Sequence, residues 1–69
     1  MRHFKLVQVQ RVPPHRVLLE FDRATEVSAV GYAEKEASFR NLNGELELWE
    51  TVDQKDHLIS RVVPKRKNR

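Results

Sequence analysis

The stretch that decides the fold runs from Ala37 to Asp53 and reads ASFRNLNGELELWETVD. It contains Asn43-Gly44, the dipeptide most typical of a two-residue β-hairpin turn. Both central positions of a type I′ turn need a positive φ, which Asn tolerates and Gly adopts freely. Each cross-strand pair contributes about 0.2–1 kcal/mol. Counting outward from this turn predicts two such pairs: Arg40 with Glu47, and Phe39 with Leu48.

The same stretch also allows a helix around residues 33–43, because glycine after a helical run is a common stop signal and Gly44 follows this one. Glu36 and Arg40 would then form an i,i+4 ion pair in the favourable order. The apolar positions do not form one clean stripe at helical spacing, which favours the hairpin. The hairpin predicts an all-β fold, whereas the helix predicts an α+β fold.

Segments on either side of this stretch show the alternation or the β-propensity of strands. These segments are residues 3–12, 16–22, 26–32 and, after a polar turn at 53–56, residues 57–63. Pro13 and Pro14 separate the first two segments, because proline has no N–H to donate to a ladder. We therefore predict a small antiparallel sheet or barrel of five to six strands.

The inward-facing apolar residues of these strands form the predicted core. They are Leu6, Val17, Leu19, Phe21, Val27, Ala29, Phe39, Leu46, Leu48, Leu58 and Val62. Trp49 is expected to be only partly buried, because its indole N–H needs a hydrogen-bond partner. Residues 1–63 are predicted to form a single domain. Residues 64–69, PKRKNR, are predicted to form a disordered basic tail, because they have almost nothing to bury.

The length of 69 residues predicts one domain near the lower limit for folding around a single core. Cysteine is absent, which excludes disulfides and thiolate zinc sites as reinforcement. Oligomerisation or strand addition to a partner is therefore expected, since open sheet edges favour pairing. No signal-peptide pattern and no apolar run of about 20 residues is visible, which predicts a cytoplasmic protein.

The net charge of +3 conceals an asymmetry along the chain. Residues 1–11 carry three cations and no acid, and residues 61–69 carry five cations and no acid. The remaining residues, 12–60, hold all ten acids against five cations. Basic segments can neutralise the phosphates of a nucleic acid. The sequence therefore predicts a domain that binds RNA or DNA through Arg2, Lys5, Arg11, Arg61, Lys65, Arg66 and Lys67.

The acidic strand at residues 45–52 supports an alternative, a protein-interaction or regulatory subunit. An apolar-acidic ridge can dock on a basic protein surface, and an exposed sheet edge can accept a partner strand. The predicted contact residues are Leu46, Leu48 and Trp49. The partner in this case is another protein or a second copy of the chain.

Enzymatic and metal-binding functions are not supported by the sequence. The three histidines are not at ligand spacing, and cysteine is absent. The only glycines, Gly31 and Gly44, do not form a phosphate-binding loop. No nucleophile–base arrangement is visible, and so short a chain has little room for a substrate cleft. We therefore predict no metal, no cofactor, no small-molecule substrate and no enzymatic activity.

Overall fold

The structure, a computed structural model, describes residues 1–64 as one open four-stranded antiparallel sheet with a single helix on one face. In chain order the elements are β1 (Arg2–Gln8), β2 (Arg16–Arg23), α1 (Glu26–Phe39), β3 (Leu46–Val52) and β4 (Lys55–Val62). The strand order is β2-β1-β3-β4, so β2 and β4 are the edges. The prediction of five to six strands or a barrel is wrong, and the α+β alternative fits.

Helix α1 replaces the strand predicted at residues 26–32. Thr25 caps it, because the Thr25 hydroxyl accepts a hydrogen bond from the Ser28 N–H at 3.1 Å. Such a cap contributes about 1 kcal/mol. Ala29, Ala33 and Ala37 recur every fourth residue and are fully buried. Their small side chains let the helix lie close to the sheet, and this alanine stripe has the helical spacing that the strand prediction overlooked.

The helix ends in a Schellman motif at Asn41 instead of the predicted Gly44. Asn41 has a φ of 55°, and its N–H donates to the Ser38 carbonyl at 3.2 Å. The Leu42 N–H donates to the Ala37 carbonyl at 2.9 Å, and the Leu42 side chain packs against the core. These bonds satisfy carbonyls that the helix end would otherwise leave unpaired.

The predicted hairpin at Asn43-Gly44 is therefore wrong, together with its two cross-strand pairs. Arg40 instead contacts Glu36 at 2.8 Å, one helical turn back, as the helical alternative predicts. Phe39 does not face Leu48, because Phe39 is 83% exposed.

The turn between β3 and β4 lies at Asp53-Gln54, within the polar turn predicted at 53–56. Both residues have positive φ, 51° and 66°, as a two-residue hairpin turn of the I′ type requires. The strand that carries Trp49 is confirmed, and so is the strand that follows the turn. The segment 9–15, which contains both prolines, connects β1 to β2.

The core lies between α1 and one face of the sheet. Its fully or almost fully buried residues are Phe4, Leu6, Ala29, Ala33, Ala37, Leu46, Leu48 and Val62. Five of these were predicted: Leu6, Ala29, Leu46, Leu48 and Val62. Leu19 and Phe21 are partly buried and pack against the same cluster. Trp49 is half-buried, as expected.

Four predicted core residues are exposed: Val17 at 46%, Leu58 at 53%, and Val27 and Phe39 at 83%. Val27 and Phe39 lie on the outer side of α1.

Val17 and Leu58 are exposed for another reason. Each edge strand contains one extra residue, which forms a β-bulge. Leu6 pairs with Leu19 and Val7 with Val17, so Leu18 is the extra residue of β2.

The second bulge lies in β4, where Leu48 pairs with Ser60 and Trp49 with Leu58, so that Ile59 is the extra residue. Across a bulge the alternation of side chains shifts by one residue, so residues on its two sides that would share a face point to opposite faces. Leu18 and Ile59 consequently pack on the core. Val17 and Leu58 are shifted to the face of the sheet opposite the helix, which we call the uncovered face.

Two phenylalanine substitutions distinguish this fold from the predicted hairpin. Phe4→Ala should lower the free energy of unfolding by about 3–5 kcal/mol, because it leaves a cavity in the core. Phe39→Ala should change it by no more than about 0.5 kcal/mol, because that ring is exposed. Urea denaturation followed by circular dichroism measures both values.

If Phe4→Ala does not fold, Phe4→Leu keeps most of the apolar volume and should cost about 1 kcal/mol. A larger cost for Phe39→Ala than for the Phe4 variant would contradict the core described above.

Candidate functional site

The register of the strands brings several segments to one end of the sheet. Gln8, the last residue of β1, pairs with Arg16 at the start of β2 and with Leu46 at the start of β3. Leu46 also pairs with Val62 at the end of β4. The connection 9–15 and Pro64 therefore emerge at the same end.

Three arginines lie at this end, which we call the basic end: Arg11, Arg16 and Arg61. Arg11 and Arg16 are exposed, and neither forms an ion pair within residues 1–64. Arg61 contacts Glu45 at 3.2 Å, but both side chains are exposed, so water weakens the pair. Lys65, Arg66 and Lys67 follow Pro64 in the sequence and lie outside the described residues.

The opposite end of the sheet is rich in acids. Strand β2 finishes there, α1 begins there, and the β3–β4 turn lies there. These segments carry Asp22, Glu26, Glu50, Asp53 and Asp56. The cations at that end include Arg2, Arg23 and Lys55. The five named acids outnumber the three named cations at this acidic end, whereas at the basic end Arg11, Arg16 and Arg61 lie with Glu45 and Glu47.

Arg2, a predicted phosphate contact, lies at the acidic end and is held by Glu50. Two guanidinium nitrogens donate to the two Glu50 carboxylate oxygens at 2.7 Å each, and a third contact reaches Glu26 at 3.9 Å. The hydrogen bond from Arg2 lowers the pKa of Glu50, one of the least exposed polar residues of the fold. The Arg2 guanidinium also lies 5.5 Å from the centre of the Phe4 ring. These contacts connect β1, β3 and the start of α1.

Lys5 lies near the middle of the uncovered face, away from the basic end. Its Nζ is 3.3 Å from the nearer carboxylate oxygen of Asp56. The Thr51 hydroxyl donates to the same carboxylate at 2.7 Å, and this hydrogen bond is the main cause that lowers the pKa of Asp56. Strand β3 separates β1 from β4. The predicted basic residues are therefore not brought together as one patch: Arg11 and Arg61 share an end, whereas Lys5 and Arg2 lie elsewhere.

The three predicted protein-contact residues lie on different faces of β3. Leu46 and Leu48 are buried under α1, whereas Trp49 points to the uncovered face. The Trp49 indole N–H donates to a Glu47 carboxylate oxygen at 3.1 Å, which provides the expected partner. Because β3 is an inner strand, only β2 and β4 can accept a further strand.

The uncovered face has an apolar centre with a shallow pocket of about 200 Å³. Lys5, Val7, His15, Val17, Trp49 and Asp56 line this pocket. His15 comes from the connection at the basic end, so the pocket extends from the middle of the sheet towards that end. We call it the Trp49 pocket.

Sequence reasoning missed two residues of this region, Arg16 and His15. Arg16 was assigned only to the polar face of its strand. Both follow directly after Pro13-Pro14, and a turn at these prolines returns the chain to the end where β1 finishes. The position of His15 and Arg16 directly after the two prolines could therefore have placed them at this end of the sheet.

Within residues 1–64, no group of three or more His, Cys, Asp or Glu side chains is arranged to hold a metal ion. In the same part of the chain, no helix has the length and apolar character needed to cross a membrane. Comparison of the chain with models of known protein families, with curated proteins and with solved structures found no match.

His3 predicts a pH dependence of stability. Its two ring nitrogens lie 2.7 Å from Asp22 and 2.8 Å from Glu20, and these hydrogen bonds raise the pKa of His3 above its ordinary value of 6.5. Folding therefore favours the protonated ring. The resulting stabilisation should be fully present below pH 6.5 and be lost as the pH rises through the higher pKa of the folded state.

NMR titration of the histidine ring protons should give a His3 pKa above 6.5, and Asp22→Asn should lower it. The melting temperature of the wild-type protein should fall more between pH 6 and pH 8.5 than that of His3→Gln. The effect should be small, since the pair is partly exposed to water. A His3 pKa at or below 6.5 would contradict the geometry.

Proposed function

We propose that this chain is a small non-enzymatic domain that contacts the phosphates of RNA or DNA through its basic end. One observation carries the proposal. The topology brings Arg11, Arg16 and Arg61 to the end of the sheet from which the chain continues into Lys65, Arg66 and Lys67. The cytoplasm is the proposed location, on the sequence patterns described above alone.

The proposed contacts are electrostatic. Neutralising phosphates releases condensed counterions, and this release supplies most of the sequence-independent affinity for nucleic acid. Arg11 and Arg16 are exposed and make no ion pair within residues 1–64, so binding does not require an internal pair to break. Arg61 has to exchange only an exposed contact with Glu45 for a phosphate. Guanidinium groups also match phosphate oxygens in bidentate geometry.

Arg2 and Lys5 contribute less to this surface than the sequence predicts. Arg2 is held by Glu50 at the other end of the sheet, and Lys5 is paired with Asp56. The acids at the opposite end disfavour phosphates there. The proposed orientation therefore places the basic end on the nucleic acid and the β3–β4 turn away from it.

The proposal predicts a steep dependence on salt. Affinity for a labelled 12-nucleotide strand, measured by fluorescence anisotropy, should fall by orders of magnitude between about 50 and 200 mM salt if six or more phosphates are engaged. The double substitution Arg11→Ala/Arg16→Ala should reduce the slope of log K against log salt by about two, one for each lost contact. Truncation after Pro64 should also weaken binding sharply.

Lys35→Ala is the control, because Lys35 is exposed on α1 and its substitution removes one positive charge, half of what the double substitution removes. It should leave the salt slope nearly unchanged. Absence of binding at 50 mM salt would refute the proposal. A reduction of the salt slope per removed charge that is as large in Lys35→Ala as in the double substitution would also refute it.

A protein partner or a second copy of the chain is the second candidate. It is supported by the exposure of Leu58, which lies on the edge strand β4 beside Trp49. Strand β4 is an open edge, which can pair with a strand of another chain, and a lysine in the middle of an edge opposes such pairing.

On this second candidate, sedimentation should show association at micromolar concentrations, and Leu58→Lys should abolish it. A monomer at all concentrations would exclude self-association. Loss of association in Lys35→Ala as well would show that the contact is not at this edge.

A further inference from the structure

We propose that the Trp49 pocket holds one unpaired base stacked on the Trp49 indole, and that the ligand is consequently single-stranded RNA or DNA. This inference rests on the proposed function and names the class of nucleic acid involved. It is supported by the size of the pocket, its chemistry and its position beside the basic end.

The pocket has the size and walls for a small planar group. Its volume of about 200 Å³ is below the roughly 300–1,000 Å³ typical of pockets that hold drug-sized ligands. Val7 and Val17 supply apolar walls, and the half-buried Trp49 supplies an aromatic surface. Every base has a π-face, and stacking on an aromatic side chain is how proteins commonly hold bases of single strands.

The remaining residues of the pocket offer hydrogen bonds to the edge of a base. His15 Nδ1 accepts the Gln10 N–H at 3.2 Å, so in the neutral ring Nε2 carries the proton and is a donor. Lys5 and Asp56 contact each other, but an ammonium has three N–H donors and a carboxylate about four acceptor positions, so each keeps capacity for a base edge. Both kinds of group are needed, because the edges of bases carry donors and acceptors together.

The pocket is continuous with the proposed phosphate contacts. His15 of the pocket belongs to the connection that carries Arg11. Arg61 pairs with Glu47, which pairs with the pocket residue Val7, so Arg61 lies on the same face of the sheet as the pocket. A strand whose phosphates contact these two arginines can therefore direct a neighbouring base into the pocket. A double helix cannot do so, because its bases are paired and stacked.

The acids of the uncovered face are engaged with neighbouring groups. Glu47 accepts from the Trp49 indole, and Asp56 is bound by Lys5 and Thr51. Glu20 and Asp22 hold His3. Asp22 and Asp56 lie towards the acidic end, so a strand can reach the pocket from the connection 9–15 without crossing them.

The experiment uses Trp49 fluorescence, since Trp49 is the only tryptophan of the chain. The full chain is titrated at 50 mM salt with three ligands: a 12-nucleotide oligothymidylate, an abasic strand with the same number of phosphates, and a 12-base-pair duplex. Oligothymidylate should quench the emission, whereas the abasic strand and the duplex should not. The abasic strand should bind about tenfold or more weakly than oligothymidylate, the scale of one stacked base.

Substitutions test the pocket directly, with anisotropy of the labelled strands as the measurement. Trp49→Leu should weaken oligothymidylate binding about tenfold and leave abasic-strand binding unchanged. Trp49→Phe keeps an aromatic ring and should retain most of the wild-type affinity for oligothymidylate. Leu58→Ala, beside Trp49 but outside the pocket lining, is the control and should have little effect. If Trp49→Leu does not fold, Val17→Glu at the exposed rim should obstruct the pocket.

Equal affinity for oligothymidylate and the abasic strand, with unchanged Trp49 emission, would overturn the pocket inference and leave phosphate binding intact. Duplex binding as tight as single-strand binding would also overturn it. Absence of binding to all three ligands would overturn both proposals.

Discussion

The packing of the alanine stripe of α1 on the sheet is the interaction on which the rest of the structure depends. Ala29, Ala33 and Ala37 bring the helix close to Phe4 and Leu6 in the central strand β1. Within residues 1–64, α1 is the only element packed on the sheet, and it covers one face. The other face of the sheet therefore stays open, and this open face carries the Trp49 pocket.

Sequence reasoning located the strands well because their signals are local. The segments around β1, β2, β3 and β4 have strand-like composition, and prolines or polar residues mark their ends. The helix was misassigned because Val27, Ala29 and Val30 suit either a strand or a helix, and because Asn43-Gly44 is a strong hairpin signal. Packing against the sheet favours the helix over the strand, because the small side chains of Ala29, Ala33 and Ala37 let the helix lie close to the sheet.

The candidate site was only partly predictable, for reasons of connectivity. Which cations share an end depends on strand order, and the insertion of β3 between β1 and β4 does not follow from any residue pattern. The bulges at Leu18 and Ile59 could not be predicted from the residue pattern either. One extra residue in each edge strand turns Val17 and Leu58 to the opposite face of the sheet. The charge asymmetry along the chain was visible in the sequence itself.

The arginines of the basic end and the acids of the opposite end contribute a dipole moment roughly parallel to the strands. In the field of a polyanion, a dipole experiences a torque that turns its positive end towards the charge before any contact forms. A larger fraction of random collisions then occurs in a productive orientation, which raises association rates at low ionic strength. A net charge of only +3 would suggest weak attraction. On the proposed function, the arrangement of the charges, more than their sum, would govern how this domain meets a phosphate backbone.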